Sequence, residues 1–365
     1  MKIKCCLILF IFGASINAAK EDYSLDTWWR LEAQNSREKN LNTRGDNASY
    51  RVTLDFERKI QDWGLLKVSP GFFFASGNGQ GLIFDNRPRN SLYANQAVFE
   101  SVSDTAEITV GAISQRHLWL RSVVDPFISF TGVMIKPYLY KSDNFSLFTK
   151  HQATIPSSYT FSTDTTGSET TPKFYTNTIG LKYKNDFIKR FNFQLTHFKY
   201  QDLPQIIAVE SAARGNLVDL TSSTTGFFRY QFQGYAATGF VKSHIVSNAF
   251  FIHHFEVAKN VQADDGRNTA VRTWTGIELP TSQNTSLEIL AQYFRQESDI
   301  APARLNFGVD LNNRVGQGLR LTYNLKKEKI RFALGAHKSD PIYNSSVMAA
   351  RKVVYLRMEG IDEIF

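Results

Sequence analysis

The feature that most constrains this chain is the alternation of apolar and polar residues in short segments along its whole length. In SYRVTLDFERK, residues 49–59, apolar side chains occupy every second position, and charged or hydroxyl side chains lie between them. Because successive side chains of a strand point to opposite faces, this segment has one apolar and one polar face. The same alternation recurs in AEITVGA (106–112), GVMIKPYLY (132–140), FNFQLTH (191–197), FRYQF (228–232), VRTWTGIEL (271–279), LRLTYNL (319–325) and IRFALGA (330–336).

The connections between these segments are short and long by turns. Short polar turns include SVSDT (101–105), KSDN (141–144), PTSQN (280–284) and KKEK (326–329). The longer connections are 35–47, 76–92, 116–127, 155–172, 201–224, 259–267, 297–312 and 338–350. Short turns at one end and long loops at the other are typical of barrels that cross an outer membrane. The spacing predicts about sixteen strands, with fourteen to eighteen allowed, and places the tenth at 225–237.

The N-terminus predicts export from the cytoplasm. Met1–Lys4 is basic, residues 5–14 are mostly apolar, and Asn17-Ala18-Ala19 offers small residues before a charged segment. This is the arrangement of a cleaved signal peptide, so we expect a leader at 1–19 and one barrel domain at 20–365. Both cysteines, Cys5 and Cys6, lie in the leader, and its two lysines take the formal charge from +8 to about +6.

A closed barrel explains why both faces of each strand are needed. Water is missing from the core of a bilayer, so every backbone N–H and C=O must pair within the protein, and closure leaves no open edge. The expected lipid faces are apolar, as in Val133, Ile135 and Leu139, or Ile330, Phe332 and Leu334. The charged faces would then point to a water-filled interior.

At the level of architecture the mature chain resembles the bacterial outer-membrane porins. The resemblance rests on the leader, the alternating segments, the short and long connections, the absence of cysteine after the leader and the terminal Phe365. It implies an all-β, transmembrane, antiparallel up-and-down barrel in the bacterial outer membrane, passing small polar solutes by diffusion. Outer-membrane lipid, lipopolysaccharide and a homotrimer are the implied partners. GIDEI (360–364) departs from the pattern, because it interrupts the alternation before Phe365.

The inward faces predict the charge of the pore. The expected pore-lining bases are Arg51, Lys67, Lys136, Lys182, Arg229, Arg272, Arg320 and Arg331, with Arg357 on the last strand. They exceed the expected inward acids Asp55, Glu57, Glu107, Glu278 and Glu288. Since rings of charge set the ion preference of pores, we expect a mild preference for anions.

The third long connection, SQRHLWLRSVVDPF (114–127), is the candidate constriction. It corresponds by position to the external loop that enters the lumen in sixteen-stranded porins. Arg116, Arg121 and Asp125 would then narrow the pore and set a transverse field. The alternative is a loop packed over the rim of the barrel.

Other classes of function leave weaker marks on the sequence. His254 and Glu256 would share a strand face, but the adjacent His253 points the other way, so we expect no enzyme, metal or other cofactor. A channel specific for sugars or a polysaccharide is the main alternative, with Trp28, Phe73, Phe148, Phe198, Phe227 and Trp274 as a candidate aromatic ladder. An adhesin or structural barrel also stays open. Dispersed charge and export argue against nucleic-acid binding.

Overall fold

The computed structural model describes residues 23–38, 44–60, 64–77, 90–126, 128–156, 171–212, 214–222, 225–246, 249–306, 312–343 and 350–360. The predicted leader, 1–19, and the terminal Phe365 lie outside these ranges. Among the described residues, no helix is both long and apolar enough to cross a membrane.

Within the described ranges, sixteen antiparallel strands form a closed barrel, which confirms the predicted fold. The first eight are β1 (Tyr23–Glu38), β2 (Arg44–Ile60), β3 (Gly64–Gly77), β4 (Asn90–Val102), β5 (Ala106–Ser114), β6 (Ser129–Lys141), β7 (Phe145–Ile155) and β8 (Lys173–Tyr183). The barrel continues with β9 (Ile188–Gln201), β12 (Gln233–Val246), β13 (Ala249–Asn260), β14 (Thr269–Pro280), β15 (Thr285–Gln296), β16 (Arg314–Leu325), β17 (Ile330–Pro341) and β18 (Arg351–Gly360). A helix, α1 (Gln205–Ala212), and a small hairpin of β10 (Val218–Leu220) and β11 (Gly226–Phe228) lie between β9 and β12.

The first and last strands close the sheet. Ala33 of β1 pairs with Leu356 of β18, and the antiparallel register continues on both sides of this pair. Every other neighbouring pair in the barrel is antiparallel and follows the chain order, apart from the step from β9 to β12 over the helix and hairpin. In the described ranges, closure therefore leaves the barrel without an unpaired edge strand.

Two local features fit the sequence to this sheet. The register of β3 against β4 shifts between Val68 and Pro70, where proline cannot donate a ladder hydrogen bond. At Gly180 of β8 a side chain would collide with the ring of Phe148, its cross-strand partner on β7. Glycine there lets the Phe148 ring lie flat against the inner wall.

The outer surface of the wall is apolar. Val133, Leu195 and Leu334, on three separated strands, are 40%, 51% and 50% exposed. Their sequence neighbours Met134, Thr196 and Ala333 are buried on the opposite, inward face. The alternation thus has the direction that the sequence predicts, with apolar side chains outside.

Two sequence predictions about strands are wrong in detail. The tenth barrel strand is β12, which begins at Gln233 and not at 225, because residues 226–228 pair with 218–220 in the small hairpin. Arg229 therefore lies on the connection before β12, where it pairs with Asp219 at 2.7 Å and is half exposed. The first long connection is also shorter than expected, since β1 and β2 continue to Glu38 and from Arg44.

The apolar core lies inside the barrel, at the end that carries the long connections. The described parts of three connections meet there: one between β5 and β6 (115–126 and 128), one between β9 and β12 (202–212, 214–222 and 225–232), and one between β15 and β16 (297–306 and 312–313). Their buried side chains pack on inward residues of the wall. The members are Leu118, Leu120, Val123, Val124, Phe130, Phe174, Phe198, Tyr200, Ile207, Phe232, Ala236, Ala258, Ala270, Ile300, Ala301 and Leu305.

Candidate functional site: the barrel interior

The connection between β5 and β6, described at residues 115–126 and 128, lies inside the barrel and is called here the inner loop. It begins with a 3-10 turn, Gln115–Leu118, and its side chains Leu118, Leu120, Val123 and Val124 are at most 2% exposed. They pack with inward residues of β8, β9, β12 and β13 and with the connection 297–313. Burying four aliphatic side chains stabilises this position by roughly 1.5–3 kcal/mol each relative to exposure.

Glu256 of β13 fixes the middle of the inner loop. Its carboxylate is fully buried and accepts hydrogen bonds from the backbone N–H of Arg121 at 3.1 Å and of Ser122 at 2.7 Å. The hydroxyl of Ser122 also donates to it in a short hydrogen bond. On the other side Asn306 donates to the carbonyl of Ser122. A buried carboxylate needs such donors, since it loses its hydration on burial.

A row of rings and cations runs along the inner loop. The guanidinium of Arg190 lies 5.4 Å from the ring centre of Trp119, and the ring centres of Trp119 and His254 are 5.8 Å apart. His254 contacts Trp274 at 5.0 Å, and the guanidinium of Arg121 lies 5.4 Å from the Trp274 ring. Cations over aromatic faces are attracted by the ring quadrupole, so this row orders the inner loop against β9, β13 and β14.

Trp119 adopts a backbone conformation that is uncommon for a bulky residue. Its φ is 61°, in the left-handed region, directly after the 3-10 turn. Such a conformation costs about 1–3 kcal/mol and persists where surrounding contacts fix it. The ring contacts with Phe240, at 5.9 Å, and with His254 supply that fixation.

The three residues predicted for the constriction have different surroundings. Arg121 is only partly buried. Burial, and after it the positive charges of Arg272 and Arg320, lower the pKa of Arg121 to about 10, so it stays charged at neutral pH. Asp125 is 0% exposed, and its backbone N–H donates to Leu305 at 2.9 Å. Arg116 is partly buried in the 3-10 turn, where its carbonyl accepts from Trp119.

A second group of bases lies below the inner loop, on the side of the short turns. Lys150 of β7 is 3% exposed and donates to the His117 carbonyl at 2.8 Å and to Gln194 at 3.2 Å. Lys136 pairs with Glu107 at 2.8 Å. Burial, together with the charge of Lys150, lowers the pKa of His117 to about 3, so its ring is neutral at physiological pH.

The wall from β16 through β18 and β1 to β3 carries paired charges. Arg320 contacts Glu288 at 3.0 Å, Arg357 contacts Glu32 at 2.6 Å, and Arg331 forms a short ion pair with Glu359. On β3, Lys67 lies 2.9 Å from Glu100. These side chains are partly exposed to the interior, whereas Arg314 and Arg351 nearer the long connections are buried.

Of the eight bases predicted to line the pore, Arg229 is the one placed off the barrel wall. The alternation of burial along each strand puts the remaining members on the inward face. They are Arg51, Lys67, Lys136, Lys182, Arg272, Arg320 and Arg331. Lys150, Arg190 and Lys242 were not predicted, and Glu256 was considered only together with His254. Strand parity could have identified Lys150, which is in phase with Phe148, and Arg190, which is in phase with Phe198.

The described members of the candidate aromatic ladder lie in different surroundings. Phe148 and Phe198 are buried at 2% and 0% exposure, with Phe198 in the core under the inner loop. Phe227 lies on β11 in the connection before β12 and is 53% exposed. Trp274 contacts Arg121 and His254, and Trp28 lies where the backbone alone is described.

The histidine pair of β13 divides as strand geometry requires. His254 faces inward to Trp119 and Trp274, whereas His253 lies on the outer face and bonds Thr275 at 2.8 Å. Among the described residues, no group of three or more His, Cys, Asp or Glu side chains is arranged to hold a metal ion.

Comparison with known proteins finds similar folds among solved structures. No protein-family model matches the chain, and neither does any curated protein. Among solved structures, OprB of Pseudomonas putida superposes with a TM-score of 0.59 and 9% identity, over 93% of this chain and 94% of that chain. An anion-selective porin from Comamonas acidovorans gives 0.53 and 10%, over 93% and 99%.

A third structure agrees with these two. The loop L8 deletion mutant of OmpT, an outer membrane protein of Vibrio cholerae, gives a TM-score of 0.55 at 9% identity, over 93% of this chain and 99% of that chain. At such low identity the likeness concerns the fold. The chain therefore has the fold of the bacterial outer-membrane porins, which confirms the architectural resemblance seen in its sequence.

Proposed function

We propose that this chain forms a water-filled channel in a bacterial outer membrane and passes small polar solutes by diffusion, with a preference for anions. The observation that carries the proposal is the inner loop latched to Glu256, which places Arg121 near Arg272 and Arg320. The inner loop thereby narrows the interior, and basic side chains line the wall next to it. The long connections then face outside the cell and the short turns the periplasm.

The charge of the interior supports anions over cations. The carboxylates of the open wall are paired with bases, as in Arg320 with Glu288 and Arg357 with Glu32. Further bases, among them Arg121, Lys150 and Lys182, add positive charge around the inner loop. In a low-dielectric enclosure this excess acts on passing ions more strongly than it would in bulk water.

The test is conductance of the purified protein in a planar lipid bilayer under a tenfold gradient of potassium chloride. We expect stable open channels and a reversal potential of the sign that favours chloride. Liposome swelling with sugars of graded size should show a size cutoff without saturation. A preference for potassium, saturation by one sugar, or no conductance at all would each contradict the proposal as stated.

Two further parts of the proposal concern the mature assembly. We propose that residues 1–19 are removed on export, which the mass of the mature protein and its first residues would test. We also propose a homotrimer, by analogy with OmpT of Vibrio cholerae, solved in a trimer form, with a TM-score of 0.52 and 10% identity over 93% of this chain and 99% of that chain. Light scattering in detergent distinguishes a trimer from a monomer. The expectations of no enzymatic activity and no cofactor stay predictions.

A further inference from the structure

A cavity of about 390 Å³ lies where β9 ends, at the end of the barrel that carries the long connections. We call it the rim pocket. The end of β9, α1, β11 and the segment before β12 form its walls. Five aromatic side chains line it: Tyr200, Phe227, Phe228, Tyr230 and Phe232. Among its described lining residues, Asp202 alone carries a charge. A pocket of this size accommodates a small organic molecule.

The rings of the rim pocket are held in place by contacts within the protein. Tyr200 stacks on Phe174, with ring centres 4.3 Å apart, and its backbone N–H donates to the Phe232 carbonyl at 2.8 Å. Phe232 in turn meets Phe228 edge to face, with ring centres 4.8 Å apart. Phe227, by contrast, is 53% exposed. The inner rings are therefore fixed before any ligand arrives, and Phe227 lies on the side that is open to solvent.

Asp202 gives the rim pocket a negative charge. It directly follows β9 with a φ of 54°, in the left-handed region, which aspartate adopts more readily than most residues. Among the described residues its ion-pair partner is Lys173 of β8, whose ammonium lies 3.7 Å from the carboxylate, and the two side chains are 43% and 48% exposed. Such a long pair between exposed groups is weak. The carboxylate can therefore exchange Lys173 for a cation in the pocket.

Aromatic rings beside a carboxylate select a cation. The face of an aromatic ring attracts positive charge, and several rings together recognise quaternary ammonium groups. A primary ammonium is a compact and strongly hydrated charge, whereas an alkylated ammonium presents carbon to the rings and loses less hydration on entry. An anion would be repelled by Asp202 and by the ring faces. A neutral molecule would gain nothing from the charge of Asp202.

We propose that the rim pocket binds small organic cations that carry an alkylated ammonium group, with this group against the aromatic rings and beside Asp202. The site goes beyond the proposed channel, because its ligand has the opposite charge to the anions that the interior favours. It lies among the long connections and not on the wall below the inner loop. Binding there does not require passage through the barrel, so the pocket and the channel can be tested separately.

The test uses purified full-length mature protein in a maltoside detergent, which carries no ammonium group, and choline as the probe. The N-methyl signal of choline is followed by NMR during titration, and 3,3-dimethylbutan-1-ol, in which carbon replaces the charged nitrogen, is the neutral analogue. We expect saturable binding of choline and roughly tenfold weaker binding of the analogue. Asp202→Asn should weaken choline binding roughly tenfold and Phe227→Leu roughly fivefold. Lys173→Gln should strengthen it about twofold, because it removes the competing cation.

Two matched controls change the same residue types outside the rim pocket. Asp265→Asn, at a side chain that is 94% exposed, and Phe187→Leu, at one that is 59% exposed, should stay within about twofold of the parent protein. Circular dichroism shows whether each variant keeps the barrel. No saturable binding of choline, equal binding of the neutral analogue, or equal losses in pocket and control variants would each overturn the proposal. Planar-bilayer conductance is measured in parallel, and a protein that conducts but does not bind choline overturns the pocket alone.

Discussion

The two arcs of the barrel wall carry inward charge in different surroundings. From β7 to β15 the inner loop and its neighbouring connections cover the wall, and Glu256 and Lys150 are at most 3% exposed. From β16 through β18 and β1 to β3 the ion pairs face the interior, as in Arg320, whose side chain is 28% exposed. Buried charge on the covered arc fixes the position of a loop, because it must be hydrogen-bonded. Charge on the open arc instead acts on the solvent.

The strongest test of this comparison removes the latch on the covered arc. Glu256→Ala deletes the acceptor of two backbone N–H groups and the Ser122 hydroxyl, and leaves Arg272 without the charge of Glu256. We expect the inner loop to lose about 3 kcal/mol or more of its docking energy, giving larger and noisier single-channel conductance.

The matched control for the latch is Glu288→Ala on β15, where the carboxylate pairs with Arg320 of the open arc. This change should alter ion preference and leave the conductance steady. If Glu256→Ala conducts like the parent protein, the latch does not determine the width of the channel.

Acid provides the next largest effect on the covered arc. His117 has a pKa of about 3 with the loop docked and an ordinary value near 6.5 when it is released. Protonation thus favours release. The contribution of neutral His117 to the stability of the docked loop is complete above pH 6.5. It is lost as the pH falls towards 3, at about 1.4 kcal/mol per pH unit.

At pH 5 we expect the docked inner loop to be less stable by about 1–2 kcal/mol, with more frequent transitions in single-channel recordings. Lys150 and Lys136 face the same side chain and oppose its protonation. His117→Gln should remove the part of the pH dependence between 6.5 and 3. An identical pH response in that variant would assign the effect to another group.

A smaller effect should follow from the ring of Trp274 on the covered arc. Trp274→Leu removes the face over which Arg121 lies, a contact of about 1 kcal/mol. In single-channel recordings, Trp274→Leu should shorten the intervals of low conductance. Trp274→Phe should partly keep the behaviour of the parent protein. Equal behaviour of the two variants would show that bulk, and not the ring, holds Arg121.

The smallest effect concerns ion preference on the open arc. Arg320→Gln removes one inward positive charge and frees Glu288, so the ratio of chloride to potassium permeability should fall roughly twofold. Lys338→Gln makes the same change in net charge on the outer face and should leave the reversal potential unchanged. A shift of similar size in both variants would mean that net charge, and not the lumen, sets the preference.

Much of the barrel could be predicted from sequence because its pattern is local. Alternation marks each strand, and turns such as KSDN and KKEK mark one end. The prediction of the tenth strand was wrong because Phe228, Tyr230 and Phe232 alternate with polar residues, as they would in a strand. Tertiary contacts decide otherwise: residues 226–228 pair within a hairpin, and Phe228 packs on Phe232 at 4.8 Å.

The interior was less predictable, because its partners are distant in the chain. The position of the inner loop follows from its order among the connections, and its apolar Leu118, Leu120 and Val123 are consistent with burial. Its attachment to Glu256 joins residues separated by 134 positions, which no local pattern specifies. Asp125 likewise meets a distant residue, since its backbone N–H donates to the carbonyl of Leu305.

The pairing of β1 with β18 has a consequence for biogenesis. The seam joins residues far apart in the chain, such as Glu32 and Arg357, which are 325 positions apart, so every strand between them must be synthesised before the barrel can close. Until then, the backbone N–H and C=O groups along the two free edges of the sheet have no partners and can pair with any neighbouring strand. Contacts of such high sequence separation form slowly, and a chaperone or an assembly machine that shields both edges would be most needed in that interval.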